Sequence, residues 1–290
     1  MNMLSPVATP VVALDVGGTK IEAGVIAPSG DILARQRCET RPHAPDLFGD
    51  VVALVREVSH DFDVAAIGVG CGGPMRLHGE RVSPLNIPTW RDFPLRHELH
   101  GAFGVPVFVD NDAKALALAE GVCGAARGLS DYLSMVVSTG VGGGIVLDGR
   151  LLDGRDGNAG HIGHVNVLPD GHPCECGSRG CLEAETSGTA IRRMTGDAPK
   201  MASEEIRRRT GTLVGRAVAS VAALLDLDRC FVAGSVALGF GDIFFASANE
   251  AAADYARIEH ARGLRVEPSG LGADGPLVGA AAVAWRGLSS

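Results

Sequence analysis

The order of apolar and polar positions predicts an α/β protein whose chain begins with two strands. Residues 11–15 and 21–26 are apolar runs of branched and small side chains, and the glycines between them predict a hairpin turn. Residues 46–61 place apolar side chains at close to helical spacing, and residues 65–70 form another apolar run that ends in glycines. Strands and amphipathic helices in this order are typical of an α/β fold.

Polar side chains follow the next predicted strand at the point where it ends. A helical stretch after Pro94 leads to an apolar strand over residues 105–109, which stops at Asp110, Asn111 and Asp112. An alanine-rich helix is predicted from residue 113 to residue 120. Open α/β sheets bind ligands at the carboxyl ends of their strands, so these polar residues are candidates for a site.

A second series of elements starts at residue 132. A strand over 132–138 leads into a glycine loop and a further strand at 145–147. Helices are expected from residue 183 to residue 225, with breaks at Gly196 and Gly211. A strand over 230–233 and a final helix over 275–285 complete the series.

Each series begins with a glycine turn between strands, which suggests two related halves. The chain of 290 residues also has the length of two domains. We predict one domain over residues 1–115, completed by a carboxy-terminal helix over 276–290, and a second over residues 116–275.

Composition narrows the class of partners. The chain is 46% hydrophobic and 4% aromatic, and its 40 glycines suit an α/β protein with many tight turns. A formal net charge of −8 argues against nucleic acid as a partner. The first ten residues lack the charged and apolar parts of a signal peptide, and no apolar run is long enough to span a membrane, so we expect a cytoplasmic protein.

One imidazole and three thiols lie within eighteen residues. His164, Cys174, Cys176 and Cys181 together can enclose a tetrahedral Zn²⁺ with no coordination position left open, which is typical of a structural zinc. We therefore predict that Zn²⁺ stabilises a loop over residues 160–183. His161 and Glu183 flank these ligands, so the metal would hold them near each other.

Three glycine turns, at Gly17, Gly140 and Gly234, are candidates for binding phosphate. In the first, exposed backbone N–H groups, a hydroxyl and a carboxylate are close in sequence, and Asp15 is placed to hold Mg²⁺ or its water shell. A purely structural glycine hairpin is the alternative for this turn alone. Together, the three turns can accommodate the β- and γ-phosphates of ATP; the candidate residues are Asp15, Gly17, Gly18, Thr19, Lys20, Thr139, Gly140, Gly142 and Gly234. The first turn does not fit a P-loop, and the glycine run at 140–144 does not fit a dinucleotide fingerprint, because a strand is predicted to follow it.

Asp112 is the candidate general base. Phosphoryl transfer needs a carboxylate within hydrogen-bond reach of the attacking hydroxyl, together with charge neutralisation by a metal and backbone dipoles. The alternative is that Asp112 or Asn111 only caps the following helix. Beside the three glycine turns, the catalytic interpretation is favoured.

These motifs together resemble the sugar kinases of the ROK family (repressors, open reading frames and kinases), within the actin-like ATPase superfamily. The resemblance spans nearly the whole chain; the matching segments are residues 15–19, 111–112, 137–144, 160–164 and 174–183, with Gly234. It implies two actin-like (ribonuclease H-like) domains around a central cleft, a zinc-stapled loop, and transfer of the γ-phosphoryl group of ATP to the 6-hydroxyl of a hexose by Asp112. It also implies a homodimer.

The same resemblance implies a set of sugar-binding residues: Gly73, Asn86, Asn111, Asp112, His161, His164 and Glu183. His164 would have two roles, because one ring nitrogen can bind the metal while the other hydrogen-bonds the sugar, which fixes the tautomer.

His161 departs from the common family pattern, which has glutamate at this position. A carboxylate only accepts hydrogen bonds, whereas a neutral imidazole can also donate, for instance to an acyl carbonyl. Residues 160–164 resemble those of bacterial N-acetylmannosamine kinases, so we predict N-acetylmannosamine as substrate. The alternative is a glucokinase in which His161 has no effect on specificity.

Three non-enzymatic functions are less favoured. The repressors of the family carry a winged-helix domain before the first glycine turn, and Asp15 lies too early in the chain for one. A sugar-sensing regulator without catalysis would be expected to lack Asp112, which is present. A zinc module that only mediates interactions would leave the three glycine turns unexplained.

Overall fold

The computed structural model describes residues 9–289, so residues 1–8 and 290 of the predicted domain ranges lie outside the described residues. The described strands are β1 (Val11–Val16), β2 (Lys20–Ile26), β3 (Ile32–Glu39), β4 (Ile67–Cys71), β5 (Met75–Arg76), β6 (Arg81–Val82), β7 (Val107–Asn111), β8 (Tyr132–Val137), β9 (Val141–Leu147), β10 (Arg150–Leu151), β11 (Arg229–Ala233) and β12 (Arg265–Pro268).

The helices of the same residues lie between these strands and after them. They are α1 (Leu47–Ser59), α2 (Leu95–Phe103), α3 (Asp112–Cys123), α4 (Leu182–Thr186), α5 (Gly188–Thr195), α6 (Glu204–Leu225), α7 (Ser235–Phe240), α8 (Asp242–Tyr255) and α9 (Gly275–Leu288). None of them combines the length and the apolar composition that a membrane span requires.

The described chain divides into two compact units. The first unit holds residues 9–123, 151–159 and 273–289, and the second holds residues 124–150 and 160–272. Segment 151–159 belongs to the first unit although it follows strands of the second along the chain. The domain ranges drawn from the sequence remain a proposal.

The two five-stranded sheets have the same strand order. The first is β3-β2-β1-β4-β7 and the second is β10-β9-β8-β11-β12. In each sheet the first hairpin is antiparallel, β1 with β2 and β8 with β9, and β3 is antiparallel to β2. Strands β4 and β7 extend the first sheet in parallel from β1, and β11 and β12 extend the second in parallel from β8. The prediction of an α/β fold with two related halves is therefore confirmed.

Each unit has its own apolar core, and in the second unit glycines allow close helix packing. A Cβ atom at Gly211 would lie 2.3 Å from the carbonyl oxygen of Phe244, and one at Gly215 would lie 2.1 Å from that of Ala248. Gly211 was predicted to break a helix, which is wrong: it lies inside α6, where it lets α8 approach. Its role is packing between helices rather than termination.

Two edge strands, β3 and β12, were not predicted from the sequence. Strand β3 exposes most of its side chains, and so does β12. The hydrophobic pattern of such strands is weak, because one face and one edge are in contact with water.

Candidate active site and metal centre

Two carboxylates of the first unit, Asp15 at the end of β1 and Asp112 just after β7, lie close together. Strand β4 lies between β1 and β7, with Gly70 in register with both Asp15 and Asp110. A Cβ atom at Gly70 would lie 3.6 Å from the Cα atom of Asp112 and 3.9 Å from Oδ1 of Asp15. The register of three parallel strands thus places Asp15 and Asp112 on either side of one glycine.

This arrangement changes the acidity of Asp15. Burial, and then the negative charge of Asp112, raise the pKa of Asp15 from 3.8 to about 7, while Lys20 acts in the opposite direction. Two adjacent carboxylates favour a cation beside them, and oxygen ligands suit Mg²⁺. The strand ends therefore form a candidate site for a metal that accompanies phosphate.

Asp112 is exposed and is the first residue of α3. Its Oδ1 atom accepts a hydrogen bond from the Ala113 N–H at 2.8 Å, and the side chain of Asn111 accepts from the same group at 3.1 Å. Asn111 thus accepts from the second residue of the helix, as an N-cap does, whereas the contact of Asp112 is to the residue that directly follows it. These contacts do not exclude a role as base, because a carboxylate has several lone pairs.

The first glycine turn connects β1 and β2 and contacts two further elements. The Gly17 N–H donates to the carbonyl of Lys20 at 3.1 Å, and the Thr40 hydroxyl donates to the carbonyl of Gly17 at 2.7 Å. A Cβ atom at Gly18 would lie 2.5 Å from that of Asn86. The structure therefore brings the predicted sugar ligand Asn86 against the predicted phosphate turn.

Other predicted residues near this turn have local partners. The ammonium group of Lys20 lies 2.5 Å from Oε2 of the nearly buried Glu22, which Arg35 also contacts. Thr19 accepts from the Thr40 N–H at 3.0 Å through its carbonyl. Gly73 follows β4 and forms a cis peptide bond with Pro74.

A buried ionic cluster, which the sequence analysis missed, adjoins the strand end. The side chain of Lys114 is 1% exposed and donates to Asp110 at 2.9 Å, to Asp153 at 3.0 Å and to the carbonyl of Gly157 at 2.9 Å. Arg286 on α9 contacts the same two carboxylates. The cluster joins β7, α3, α9 and segment 151–159, which are distant in sequence.

Two of the three predicted phosphate turns lie side by side in the second unit. The Ser138 hydroxyl is 3.0 Å from the hydroxyl of Ser235, which follows Gly234. Gly234 has a φ of +102°, and a Cβ atom there would lie 2.3 Å from the carbonyl oxygen of Val137. Because β8 and β11 are parallel neighbours, both turns follow strands at the same edge of the sheet.

Glu183 contacts the glycine turn. Its Oε2 atom accepts from the Val141 N–H at 2.8 Å and lies 2.8 Å from the place of a Cβ at Gly140. The exposed Thr139 accepts through its carbonyl from the hydroxyl of Thr189 at 3.0 Å. Glu183, predicted to bind sugar, thus also positions a predicted phosphate turn.

The glycines after this turn have a different role from the loop predicted for them. Gly142 and Gly143 lie within β9. A Cβ atom at Gly143 would lie 3.0 Å from the side chain of Ile162, and one at Gly163 would lie 2.2 Å from the carbonyl oxygen of Val141. The absence of side chains here allows residues 160–164 to pack directly on the strand.

Close packing on β9 fixes the two histidines of this segment. The rings of His161 and His164 are nearly parallel, with 14° between their planes and 6.3 Å between their centroids. His161 is half-buried, whereas His164 is exposed.

The four predicted zinc ligands come together. One ligand atom from each of His164, Cys174, Cys176 and Cys181 lies within 4.8 Å of all the others. Sγ of Cys174 is 3.7 Å from Nδ1 of His164, and Sγ of Cys176 is 3.7 Å from Sγ of Cys181. With Zn–S bonds of about 2.3 Å, two ligands of a tetrahedral Zn²⁺ are about 3.8 Å apart.

The donor set therefore fits a tetrahedral zinc. Since the Nδ1 atom of His164 faces the thiols, its Nε2 atom remains available to a second partner.

Comparison with known proteins places these sites in a family context. The model of the ROK family matches residues 11–286. The glucokinase of Thermotoga maritima is 32% identical over 307 residues, which cover 94% of this chain and 96% of that protein. The N-acetylmannosamine kinase of Yersinia pseudotuberculosis is 35% identical over 255 residues, which cover 79% of this chain and 84% of that protein.

A solved structure has a similar fold over almost the entire chain. The ROK hexokinase of Thermus thermophilus superposes with a TM-score of 0.86 at 33% identity, covering 96% of this chain and 99% of that one.

Proposed function

Since the chain belongs to the ROK family, we propose that it is a sugar kinase that transfers the γ-phosphoryl group of ATP to the 6-hydroxyl of a hexose. The observation that carries this proposal is the placement of Asp15 and Asp112 around Gly70 at the ends of parallel strands. The carboxylate of Asp15 can bind a metal–phosphate complex while that of Asp112 accepts a proton.

Asp112 acts as the general base in this proposal. Its exposed carboxylate accepts the proton of the 6-hydroxyl as that oxygen attacks the γ-phosphorus and the bond to the β-phosphate oxygen breaks. Asn111, Asn86 and Gly73 contact the sugar. Asp15 would hold the Mg²⁺ that arrives with ATP, and the metal would supply neutralisation of phosphate charge there.

Backbone N–H groups of the glycine turns bind the phosphates of ATP. The first turn contributes Gly18, Thr19 and Lys20, with Gly17 holding the turn closed through its own N–H, and the second unit contributes Thr139, Gly140, Gly142 and Gly234. The ion pair of Lys20 with Glu22 keeps its ammonium group at the start of β2, beside this turn. Glu183 fixes the second turn through the Val141 N–H.

Zinc has a structural role, because its four protein ligands leave no coordination position for substrate. Bound zinc would hold residues 160–183 in one conformation. His161, His164 and Glu183 of that segment contact the sugar, and His164 does so through Nε2.

N-acetylmannosamine is the substrate that we propose. The imidazole of His161 can donate to an acyl carbonyl, and a relative of this chain is an N-acetylmannosamine kinase. Glucose is the second candidate, because another relative is a glucokinase. A regulator without catalysis is disfavoured by Asp112. We further propose a cytoplasmic homodimer.

An ADP-release assay on the purified protein tests the substrate. ATP and Mg²⁺ are supplied with N-acetylmannosamine, N-acetylglucosamine, glucose or mannose in parallel. The highest kcat/KM is expected with N-acetylmannosamine, and His161→Glu should reduce this preference. A wild-type preference for glucose, unaffected by His161→Glu, would make the protein a glucokinase.

A further inference from the structure

Residues 172–181, named here the metal hairpin, carry all three cysteines of the zinc cluster. The Gly180 N–H donates to the carbonyl of His172 at 2.9 Å, and the Cys174 N–H donates to the carbonyl of Ser178 at 2.8 Å. The base of the metal hairpin is therefore at His172 and Gly180. Cys174 and Cys176 lie beyond this base, so its position determines where their thiols lie.

Glu185 binds the first residue of the metal hairpin. Its Oε1 atom accepts from the His172 N–H at 2.6 Å, and both carboxylate oxygens lie 3.1 Å from Nδ1 of the same histidine. A Cβ atom at Gly171 would lie 2.3 Å from Oε1, so glycine at 171 makes room for the carboxylate. Glu185 is fully buried, with 0% exposure, although it carries an ionisable group.

Arg209 on α6 compensates this buried charge. Its guanidinium contacts Oε2 of Glu185 and donates to the backbone carbonyl of the same residue at 2.9 Å. Two contacts to one residue fix both the carboxylate and the backbone of α4. Burial alone would raise the pKa of Glu185, but the hydrogen bonds from His172 and Arg209 hold it below its usual value.

Helix α4, which carries Glu185, also adjoins the zinc cluster and the glycine turn of the second unit. Cys181, which precedes α4, belongs to the zinc cluster, and Glu183 accepts from the N–H after the glycine turn. Glu185 binds the base of the metal hairpin. Cys181, Glu183 and Glu185 therefore connect the zinc cluster, the glycine turn and the metal hairpin to α4. Arg209 contacts this helix through Glu185.

We propose that Glu185 and Arg209 are positioning residues for zinc: they hold the base of the metal hairpin so that the thiols are in place before the metal binds. The inference rests on zinc binding in the proposed function, but not on kinase activity. It predicts that the affinity for zinc falls when either residue is changed, although neither is a ligand.

Zinc release from the full-length, zinc-loaded protein tests this. EDTA competes for the metal, and wild type is compared with Glu185→Gln and Arg209→Lys. Glutamine replaces one acceptor oxygen by a donor that faces Arg209 or His172, so affinity should fall about tenfold or more. The matched control is Arg208→Lys on the same helix, where Arg208 pairs with Glu204 at the surface, and wild-type affinity is expected.

Cobalt substitution separates positioning from ligation. The thiolate charge-transfer bands of the Co²⁺ form should keep their wild-type wavelengths in both variants, because the ligand set is unchanged, while Co²⁺ binds more weakly. If either variant, folded by circular dichroism, binds zinc within twofold of wild type, its residue is not a positioning residue.

A measurement on the wild-type protein covers the case in which the variants do not fold. After zinc is removed, hydrogen exchange at the His172 amide should remain slow, because its acceptor is Glu185 rather than the metal. Exchange as fast as in an unfolded segment would overturn the proposal. None of these readouts depends on phosphoryl transfer, so failure of the proposed kinase activity remains distinguishable.

Discussion

The two units bring their functional residues together by different means. In the first unit, Asp15 and Asp112 lie close together because strand register places them there, and burial and the charge of Asp112 raise the pKa of Asp15. In the second unit, side chains fix the site: Glu183 binds the glycine turn and Glu185 binds the metal hairpin. The first arrangement favours a cation beside it, whereas the second is stabilised within the unit by ion pairs and has a donor set that fits a structural zinc.

This difference shows where stability and function separate. Asp110 and Asp112 are two residues apart on one chain segment. Asp110 is buried and paired with Lys114 and Arg286, whereas Asp112 is exposed beside Asp15. The first carboxylate is suited to holding the strand end, and the second to chemistry.

The largest effect is expected from removing the charge of Asp112. Asp112→Asn should lower kcat by about 10²- to 10⁴-fold, because the amide cannot accept the proton of the hydroxyl. Steady-state rates at saturating sugar and ATP measure this, with zinc content and thermal unfolding as checks on the fold. Asp61→Asn, at an exposed site, is the control. Near-normal turnover of Asp112→Asn would rule out Asp112 as the base.

The ionic cluster is the next test, because it should affect stability instead. Lys114→Met leaves Asp110 and Asp153 without their shared cation, and breaking a buried ion pair costs about 3–5 kcal/mol. Urea unfolding should show this loss in the free energy of unfolding. Exposed Lys200→Met should change it little. A loss below 1 kcal/mol for Lys114→Met would mean that Arg286 alone compensates both carboxylates.

In the second unit, removing one zinc ligand should act on sugar binding. Cys176→Ser should lose the metal and raise KM for the sugar about 10- to 100-fold, because residues 160–183 lose their fixed conformation. Zinc content by atomic absorption and KM from initial rates measure the two effects. Glu175→Gln, beside the ligand but outside the cluster, is the control. Normal sugar affinity in a zinc-free variant would refute the structural role of the metal.

The smallest effect concerns the raised pKa of Asp15, which results from burial and the charge of Asp112. Because its pKa is raised in the folded state, from 3.8 to about 7, the folded form loses stability as the pH rises from 3.8 to about 7, and the loss is complete above that range. In the absence of ATP and Mg²⁺, Asp15→Asn should therefore raise the melting temperature by a few degrees at pH 8 and by clearly less at pH 5. A gain of equal size at both pH values would contradict this explanation.

The parts of the site that could be predicted from the sequence are those with a local signal. Strand ends could be located from the apolar run at residues 105–109 and the acids after it, since a sheet aligns the ends of parallel strands. The zinc cluster was also predictable, because ligand type and spacing are local in sequence, and its geometry fits the prediction.

What the sequence did not reveal depends on contacts between distant segments. Lys114 meets Asp153, and Glu185 meets Arg209, with no periodic or local signal. The role of Gly143 likewise depends on where Ile162 packs, so the glycine run was interpreted as a loop. Such contacts are properties of the tertiary fold.

Phosphorus and carbon NMR of the reaction products tests the central claim most directly. Wild-type protein, ATP, Mg²⁺ and ¹³C-labelled N-acetylmannosamine or glucose are incubated together. The account predicts ADP and a sugar phosphate in equal amounts, with the phosphate on carbon 6, and no detectable product with Asp112→Asn over the same time. Phosphate on another carbon, or equal product from Asp112→Asn, would contradict it.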